Sequence, residues 1–200
     1  MTTSFDPDAL LTALRLADRL EVMPRMGWIV SRVPQPESVA AHSYGVCLTA
    51  MLLMDAVAQR TPPPPMDRAR VLEIAIVHDL AEALTTDIPA PVKRRIGKAV
   101  IHEVERAATA ELLAGVDPRY VALWEEYAEG QTLEARVVKA ADKVQMMVKV
   151  LQYERTGQGD LSRFWKHASN LDDCGVAEAR VLFDRVLAHH EAGSWPGEDL

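Results

Sequence analysis

His78, Asp79 and Glu82 stand close together in an otherwise apolar stretch, Ile76-Val77-His78-Asp79-Leu80-Ala81-Glu82. An imidazole and two carboxylates in such surroundings are costly to bury unless they have partners. If the stretch is α-helical at about 100° per residue, His78 and Glu82 lie one turn apart and Asp79 and Glu82 nearly so. All three can then face one cavity. A divalent cation accepts the lone pairs of a neutral histidine and an ionised aspartate together, which removes the burial penalty. The competing reading is a buried histidine hydrogen-bonded to a neighbouring carboxylate.

Three more positions favour the metal. His42, in Pro36-Glu37-Ser38-Val39-Ala40-Ala41-His42-Ser43-Tyr44, follows Ser38 as a helix N-cap, which puts its imidazole in the second turn. Asp142 interrupts a largely apolar helix face made by Ala135, Val138, Ala141, Gln145 and Met146. Asp87 lies in Thr85-Thr86-Asp87-Ile88-Pro89-Ala90-Pro91, a loop directly after the histidine-aspartate helix. The order His42, His78-Asp79, Asp142, spread over three helices, supplies two imidazoles and two carboxylates.

With these residues the chain resembles the HD-domain phosphohydrolase superfamily, and more closely its 5′-deoxynucleotidase family. The matching blocks are Pro24-Arg25-Met26-Gly27-Trp28, Pro36 to Ser43, His78-Asp79-Leu80-Ala81-Glu82, Asp87 to Lys93, Leu123-Trp124-Glu125-Glu126-Tyr127 and Lys139-Ala140-Ala141-Asp142-Lys143. The resemblance implies an all-α HD-domain helical bundle, usually a homodimer, that uses a divalent metal to remove the 5′-phosphate from deoxynucleoside monophosphates. By motif, His42, His78, Asp79 and Asp142 correspond to the metal ligands, and Glu82 and Asp87 to the catalytic and substrate-orienting carboxylates.

Phosphomonoester hydrolysis needs a nucleophilic water, stabilised phosphoryl oxygens and a route for the leaving alkoxide. A single divalent ion on four protein ligands serves the first two needs, provided that it is five- or six-coordinate. This favours Mn²⁺, Co²⁺, Fe²⁺ or Mg²⁺ over a closed tetrahedral Zn²⁺ site, although Zn²⁺ shares the ligand types. Glu82 is placed to orient or deprotonate the attacking water; its alternative is an exposed helix carboxylate. Asp87 can accept from a sugar hydroxyl or handle the leaving group's proton; its alternative is a turn cap. Thr86 stands where relatives of the family usually have glycine. A β-branched residue resists positive φ, which leaves open the path of the loop and with it the exact placing of Asp87.

Lys93, Arg94 and Arg95 are expected at a helix N-terminus, where they oppose the helix dipole by ~0.3–1 kcal/mol each unless a phosphate binds nearby. Lys93, inside a matching block, is the candidate phosphate ligand; a solvated basic face is the alternative. Arg25 is a second phosphate candidate, with Trp28 as an apolar wall against the sugar. Trp124 and Tyr127 read as core. His102 is the one further histidine between the His-Asp pair and Asp142, the region where two-metal HD proteins carry extra ligands, but it lacks the second histidine of a His-Glu-x-x-His helix.

The elements that must carry these groups are helical throughout. Asp6-Pro7 opens a first helix with Leu10, Leu11, Leu14, Leu16 and Leu20 as its apolar repeat. A loop or short turn spans Arg25 to Pro36, the His42 helix runs to Thr61, and the prolines at 62–65 stop it. The histidine-aspartate helix is expected over about 67–84, another over 92–113, a short one after Asp117-Pro118, the Asp142 helix over about 132–154, and two weaker ones near 160–168 and 176–190. No alternating β pattern and no repeat is present. At 200 residues and 48% hydrophobic content the chain suits one domain over 1–200, its core about 7–192 and 193–200 a frayed tail.

Composition limits the partners. A net charge of −7 argues against polymeric nucleic acid, while one local basic pocket for a small nucleotide is allowed. No apolar run approaches the ~20 residues that span a bilayer, and no membrane partner is expected. The start, Met1-Thr2-Thr3-Ser4-Phe5, lacks the basic and apolar regions of a secretion signal, so a cytoplasmic location is expected. Cys47 and Cys174 are too few for a disulfide framework. Two other classes compete with the deoxynucleotidase reading. One is an HD phosphohydrolase of a nucleoside triphosphate, cyclic nucleotide or guanosine polyphosphate; the other is a non-catalytic nucleotide- or metal-binding module, which would have no use for Glu82.

Overall fold

Ser38 and Thr132 start the two helices around which the others assemble. Ser38 Oγ accepts the Ala41 N–H at 3.2 Å and Thr132 Oγ1 the Ala135 N–H at 3.1 Å, each such cap contributing about 1 kcal/mol. The helices that follow, α3 (Val39–Val57) and α9 (Leu133–Arg155), pack against each other more extensively than any other pair. Val46, Ala50, Leu53 and Val57 of α3 share one core with Val137, Ala141, Met147 and Val150 of α9. Full burial of side chains of this size stabilises by roughly 1.5–3 kcal/mol each.

The structure is a computed structural model that describes residues 5–195 and Gly197. Around the central pair stand α1 (Pro7–Ala17), α2 (Met26–Val30), α4 (Arg68–Val77), α5 (Glu82–Thr85), α6 (Ala90–Ile96), α7 (Lys98–Leu112), α8 (Arg119–Glu129), α10 (Ser162–Lys166) and α11 (Ala177–Ala192), with 3₁₀ turns at Asp18–Glu21 and Ala168–Leu171. Among the described residues there is no strand; an isolated antiparallel bridge joins Pro24 to Ser38 and ties the segment before α2 to the start of α3. The fold is all-α, as expected.

Several local expectations are corrected. The histidine-aspartate segment is not one helix over 67–84: α4 ends at Val77, and the next residues close shorter bonds, Leu80 N–H to Val77 O and Glu82 N–H to Asp79 O, before α5 begins. The stretch 92–113 is two helices, which start at Ala90 and are divided at Gly97, whose φ of +98° interrupts the helical path. The segment from Arg25 to Pro36 contains α2. In α1 the core side is Ala13, Leu16 and, beyond it, Leu20; Leu10, Leu11 and Leu14 face solvent, because α1 lies at the edge and is covered on one side only.

The start of the expected frayed tail is held in place. Gly193 caps α11 in the left-handed conformation and its carbonyl accepts from Arg155, while Ser194 N–H returns to His189 O, so 193–194 are tied down. Pro196 and 198–200 lie outside the described residues. One further correction concerns α3, which at 19 residues and mean hydropathy 1.3 is long and apolar enough to cross a membrane by length and composition. Its buried Val46, Ala50, Leu53, Met54 and Val57 belong to the core that α3 shares with α4, α9 and α11, and Val39 to the smaller cluster with α1, α5 and α7.

Candidate active site

Three elements deliver the proposed ligands. The second turn of α3 carries His42, the tight turn after α4 carries His78 and Asp79, and the middle of α9 carries Asp142. Ligand atoms of His42, His78 and Asp142 lie within 4.8 Å of one another. Among the described residues this is the one such cluster of histidine, cysteine and acidic side chains, and His102 stands outside it. Asp79 joins it from the side: its Oδ2 is 3.3 Å from His78 Nε2 and 3.6 Å from His42 Nε2. His78 and Asp79 stand side by side in the tight turn after α4, and the Asp79 carboxylate reaches the same centre as the His78 imidazole.

The donor chemistry fits a cation. His78 Nδ1 is 2.7 Å from the Ala75 carbonyl, which can only accept, so the proton sits on Nδ1 and the lone pair on Nε2. His42 Nδ1 is 2.7 Å from Gln145 Oε1, with the same outcome. Both Nε2 atoms are fully buried without a hydrogen-bond partner, even though Asp142 Oδ1 is 3.2 Å from that of His42. Two buried lone pairs converging on ionised carboxylates are what a divalent metal satisfies.

The carboxylates surround Arg25. Its Nη1 is 3.1 Å from Asp79 Oδ2, 3.7 Å from Glu82 Oε2 and 3.9 Å from Asp87 Oδ1. Burial opposes the Arg25 charge, but Asp79, Asp87 and Glu82 outweigh it and raise the pKa. Burial also disfavours ionised Asp79, yet His78 and Arg25 hold it well below the usual carboxylate range. Asp142 behaves alike: burial raises it, while the neighbouring His42 imidazole, then Arg25, bring it down to about 2. Glu82 goes the other way. Burial, then Asp79 and Asp87, push it up to about 10, and its Oε2 has no hydrogen-bond partner. Burial lowers His78, but Asp79 more than compensates and raises it above 6.5.

Thr86 itself takes φ +65°, and Asp87 is buried beside the site. A β-branched residue held there is strained. Thr86→Gly is therefore expected to raise stability by about 1 kcal/mol, the relief exceeding the added chain entropy, as read from the shift of a denaturation midpoint; an unchanged or lower midpoint would show that the strain is absent.

Asp87 Oδ2 accepts the Met26 N–H at 2.7 Å, so this carboxylate anchors α2 and with it Arg25, leaving Oδ1 toward the cavity. Trp28 is a core residue more than a wall: it is almost fully buried, packs on Tyr153 and Phe164, and donates Nε1–H to Glu37, with only part of it lining the cavity. The dipole argument for Lys93 fails, because α6 begins at Ala90 and places Lys93, Arg94 and Arg95 toward its C-terminal end. Lys93 pairs with Glu105 at 2.8 Å and still lines the cavity.

That cavity is about 850 Å³. Its metal side is acidic, and Arg25, Lys93, Arg94, Lys98, Lys139 and Arg163 line it as well, a local basic wall in a chain of net charge −7. Two groups escaped the sequence reading. Tyr127, read as core, donates Oη–H to Asp142 Oδ2 at 3.2 Å; burial, then Asp142, keeps its phenol protonated well above the ordinary value. Gln145 was visible one helical turn past Asp142, but nothing local ties it to His42.

The family model described as HD domain matches residues 17–179. The 5′-deoxynucleotidase HDDC2 of Xenopus laevis is 35% identical over 150 residues, covering 73% of this chain and 70% of its own. The 5′-deoxynucleotidase hdd1 of Schizosaccharomyces pombe is 31% identical, covering 78% of this chain and 79% of its own. Among solved structures, a conserved hypothetical protein from Pyrococcus furiosus superposes with a TM-score of 0.78 at 36% identity, over 89% of this chain and 99% of that one.

Proposed function

Because the chain belongs to the HD-domain family, we propose that it is a metal-dependent phosphohydrolase that removes the 5′-phosphate from deoxynucleoside monophosphates, as the names of its curated relatives say of them. Residues 7–192 act as one domain. The observation that carries the reading is the pair of buried, unpartnered Nε2 atoms of His42 and His78 facing Asp142 and Asp79.

His42, His78, Asp79 and Asp142 would hold one divalent ion, which would supply Lewis acidity to a phosphoryl oxygen and lower the pKa of water. Four protein ligands suit Mn²⁺, Co²⁺, Fe²⁺ or Mg²⁺ better than tetrahedral Zn²⁺. Glu82 takes a proton from the attacking water. A carboxylate this reluctant to ionise is a stronger base than a solvated one, and a cation held by the adjacent ligands would favour its ionised, proton-accepting form. Arg25 holds the phosphate, and Lys93 adds charge from the α6 wall. As the water oxygen bonds to phosphorus and the P–O5′ bond breaks, O5′ takes up one proton, which balances the one that Glu82 removes from the water, and leaves as the alcohol; Asp87 Oδ1 orients that side of the sugar.

The test is phosphate release by chelator-treated protein from deoxy- and ribonucleoside mono-, di- and triphosphates, with Mn²⁺, Co²⁺ or Mg²⁺ restored. Preference for deoxynucleoside monophosphates supports the proposal. Turnover of triphosphates alone would move the substrate, and no turnover despite bound metal would reduce the protein to a binder. We also propose a homodimer, through the exposed stripe Tyr44, Leu48, Met51 and Leu52 on α3, where the outermost residues are 72% and 62% exposed. Light scattering should give twice the chain mass; a monomer at micromolar concentration would remove this assembly.

A further inference from the structure

Glu37 is absent from the cavity lining, yet it begins a buried hydrogen-bond chain that ends on His42. A carboxylate can only accept. Glu37 Oε1 accepts Trp28 Nε1–H at 3.1 Å, and Oε2 accepts the Gln145 amide Nε2–H at 3.0 Å, with Lys149 Nζ 3.5 Å away. The amide nitrogen of Gln145 must therefore face Glu37. Its Oε1 is left for His42 Nδ1 at 2.7 Å, and an oxygen there requires that Nδ1 carry the proton. The lone pair of His42 is thereby confined to Nε2, the atom turned to Asp142 and Asp79.

The packing holds this chain in one arrangement. The chain passes Gln145 so closely at Gly45 of α3 that a Cβ there would come within 2.9 Å of Gln145 Cγ and 3.1 Å of its Nε2. The site's other imidazole needs no such device, since His78 is polarised by the backbone carbonyl of Ala75. We propose that Gln145 is a positioning residue for the hydrolysis, and that Glu37, by orienting the Gln145 amide, dictates which nitrogen of His42 is free to bind metal. The proposal rests on the metal-site reading above.

The experiment reads the His42 tautomer in metal-free protein from the ring ¹⁵N shifts, and Co²⁺ affinity by competition with a chromophoric chelator. In the unsubstituted protein His42 carries its proton on Nδ1. Glu37→Gln lets the amide turn over, so the Nε2–H tautomer becomes populated and Co²⁺ affinity falls by roughly 10–100-fold, the range typical of outer-shell partners. The His78 signals stay in place and report an intact fold. The exchanged pair Glu37→Gln with Gln145→Glu again sets a carboxylate against His42 and an amide against Trp28, and restores both the tautomer and most of the affinity. A purely structural contribution would leave the exchanged pair no better than Glu37→Gln. The proposal is overturned if Glu37→Gln keeps the original tautomer and affinity, or if the exchanged pair stays folded but fails to restore them. Should Glu37→Gln not fold, Gln145→Met removes the acceptor at similar volume; an unmoved tautomer there overturns it equally. If the unsubstituted protein binds no Co²⁺, the metal-site reading itself falls and the relay loses its purpose; if it binds and the variants match it, only the relay falls.

Discussion

Glu82→Gln is expected to lower kcat by roughly 10²–10⁴-fold, the usual contribution of a positioned general base, while the protein retains its metal and its fold. The side chain is 5% exposed, its Oε2 has no hydrogen-bond partner, and its nearest cation is Arg25 at 3.7 Å. Glutamine has the same shape and no charge. It therefore leaves no cavity, and it resembles the protonated carboxyl that burial, Asp79 and Asp87 favour with a pKa of about 10. What it cannot do is take a proton from water. Metal content by elemental analysis, beside steady-state rates, separates this from loss of the ion. Turnover at the original rate would remove Glu82 from the mechanism.

Asp142→Asn should lose the metal itself, by more than the roughly 10–100-fold that outer-shell changes cost, because it removes a charge from the ligand set directly. Activity should fall with it and return only in part at high metal concentration. The same carboxylate stabilises the fold without metal. Its pKa is held at about 2 against an ordinary 3.8, so its contribution is complete above 3.8 and is lost as the pH falls through that interval. Thermal melts of metal-free protein should show the variant less stable than the parent at pH 6, with the gap narrowing toward pH 2. Equal metal retention by the two proteins would mean that Asp142 is not a ligand and would undo the hydrolase mechanism drawn here.

Much of this site could be read before the fold, and the reasons differ by residue. His42 and Asp142 were legible because an isolated polar group on an apolar helix face needs a buried partner, and each helix carries its own N-cap, Ser38 and Thr132. Trp28 lines the cavity as the sequence suggested, but its deep burial against Tyr153 and Phe164 could not be read from sequence, because contacts from far along the chain set it. Lys93 was placed at the wrong end of its helix because Pro91 was read as lying in the loop, although proline fits the first turn of a helix and α6 starts at Ala90. The sequence left open what Thr86 does to the loop; the structure has it at positive φ, with Asp87 accepting the Met26 N–H.

By itself the sequence determined the helical character and most caps and stops, which follow from short-range physics: periodicity and capping. It also singled out His42, His78, Asp79, Asp142 and Glu82 as polar groups too costly to bury alone, while their assignment as metal ligands and catalytic carboxylate came from the resemblance to the family. Only the tertiary structure decided that the helix breaks after Val77, that Arg25 sits among three carboxylates, that three leucines of α1 stay in water and that His42 offers Nε2. Those outcomes depend on groups brought together from far along the chain, Arg25 to Asp79 across 54 positions and His42 to Gln145 across 103, where no local pattern sets distance or direction.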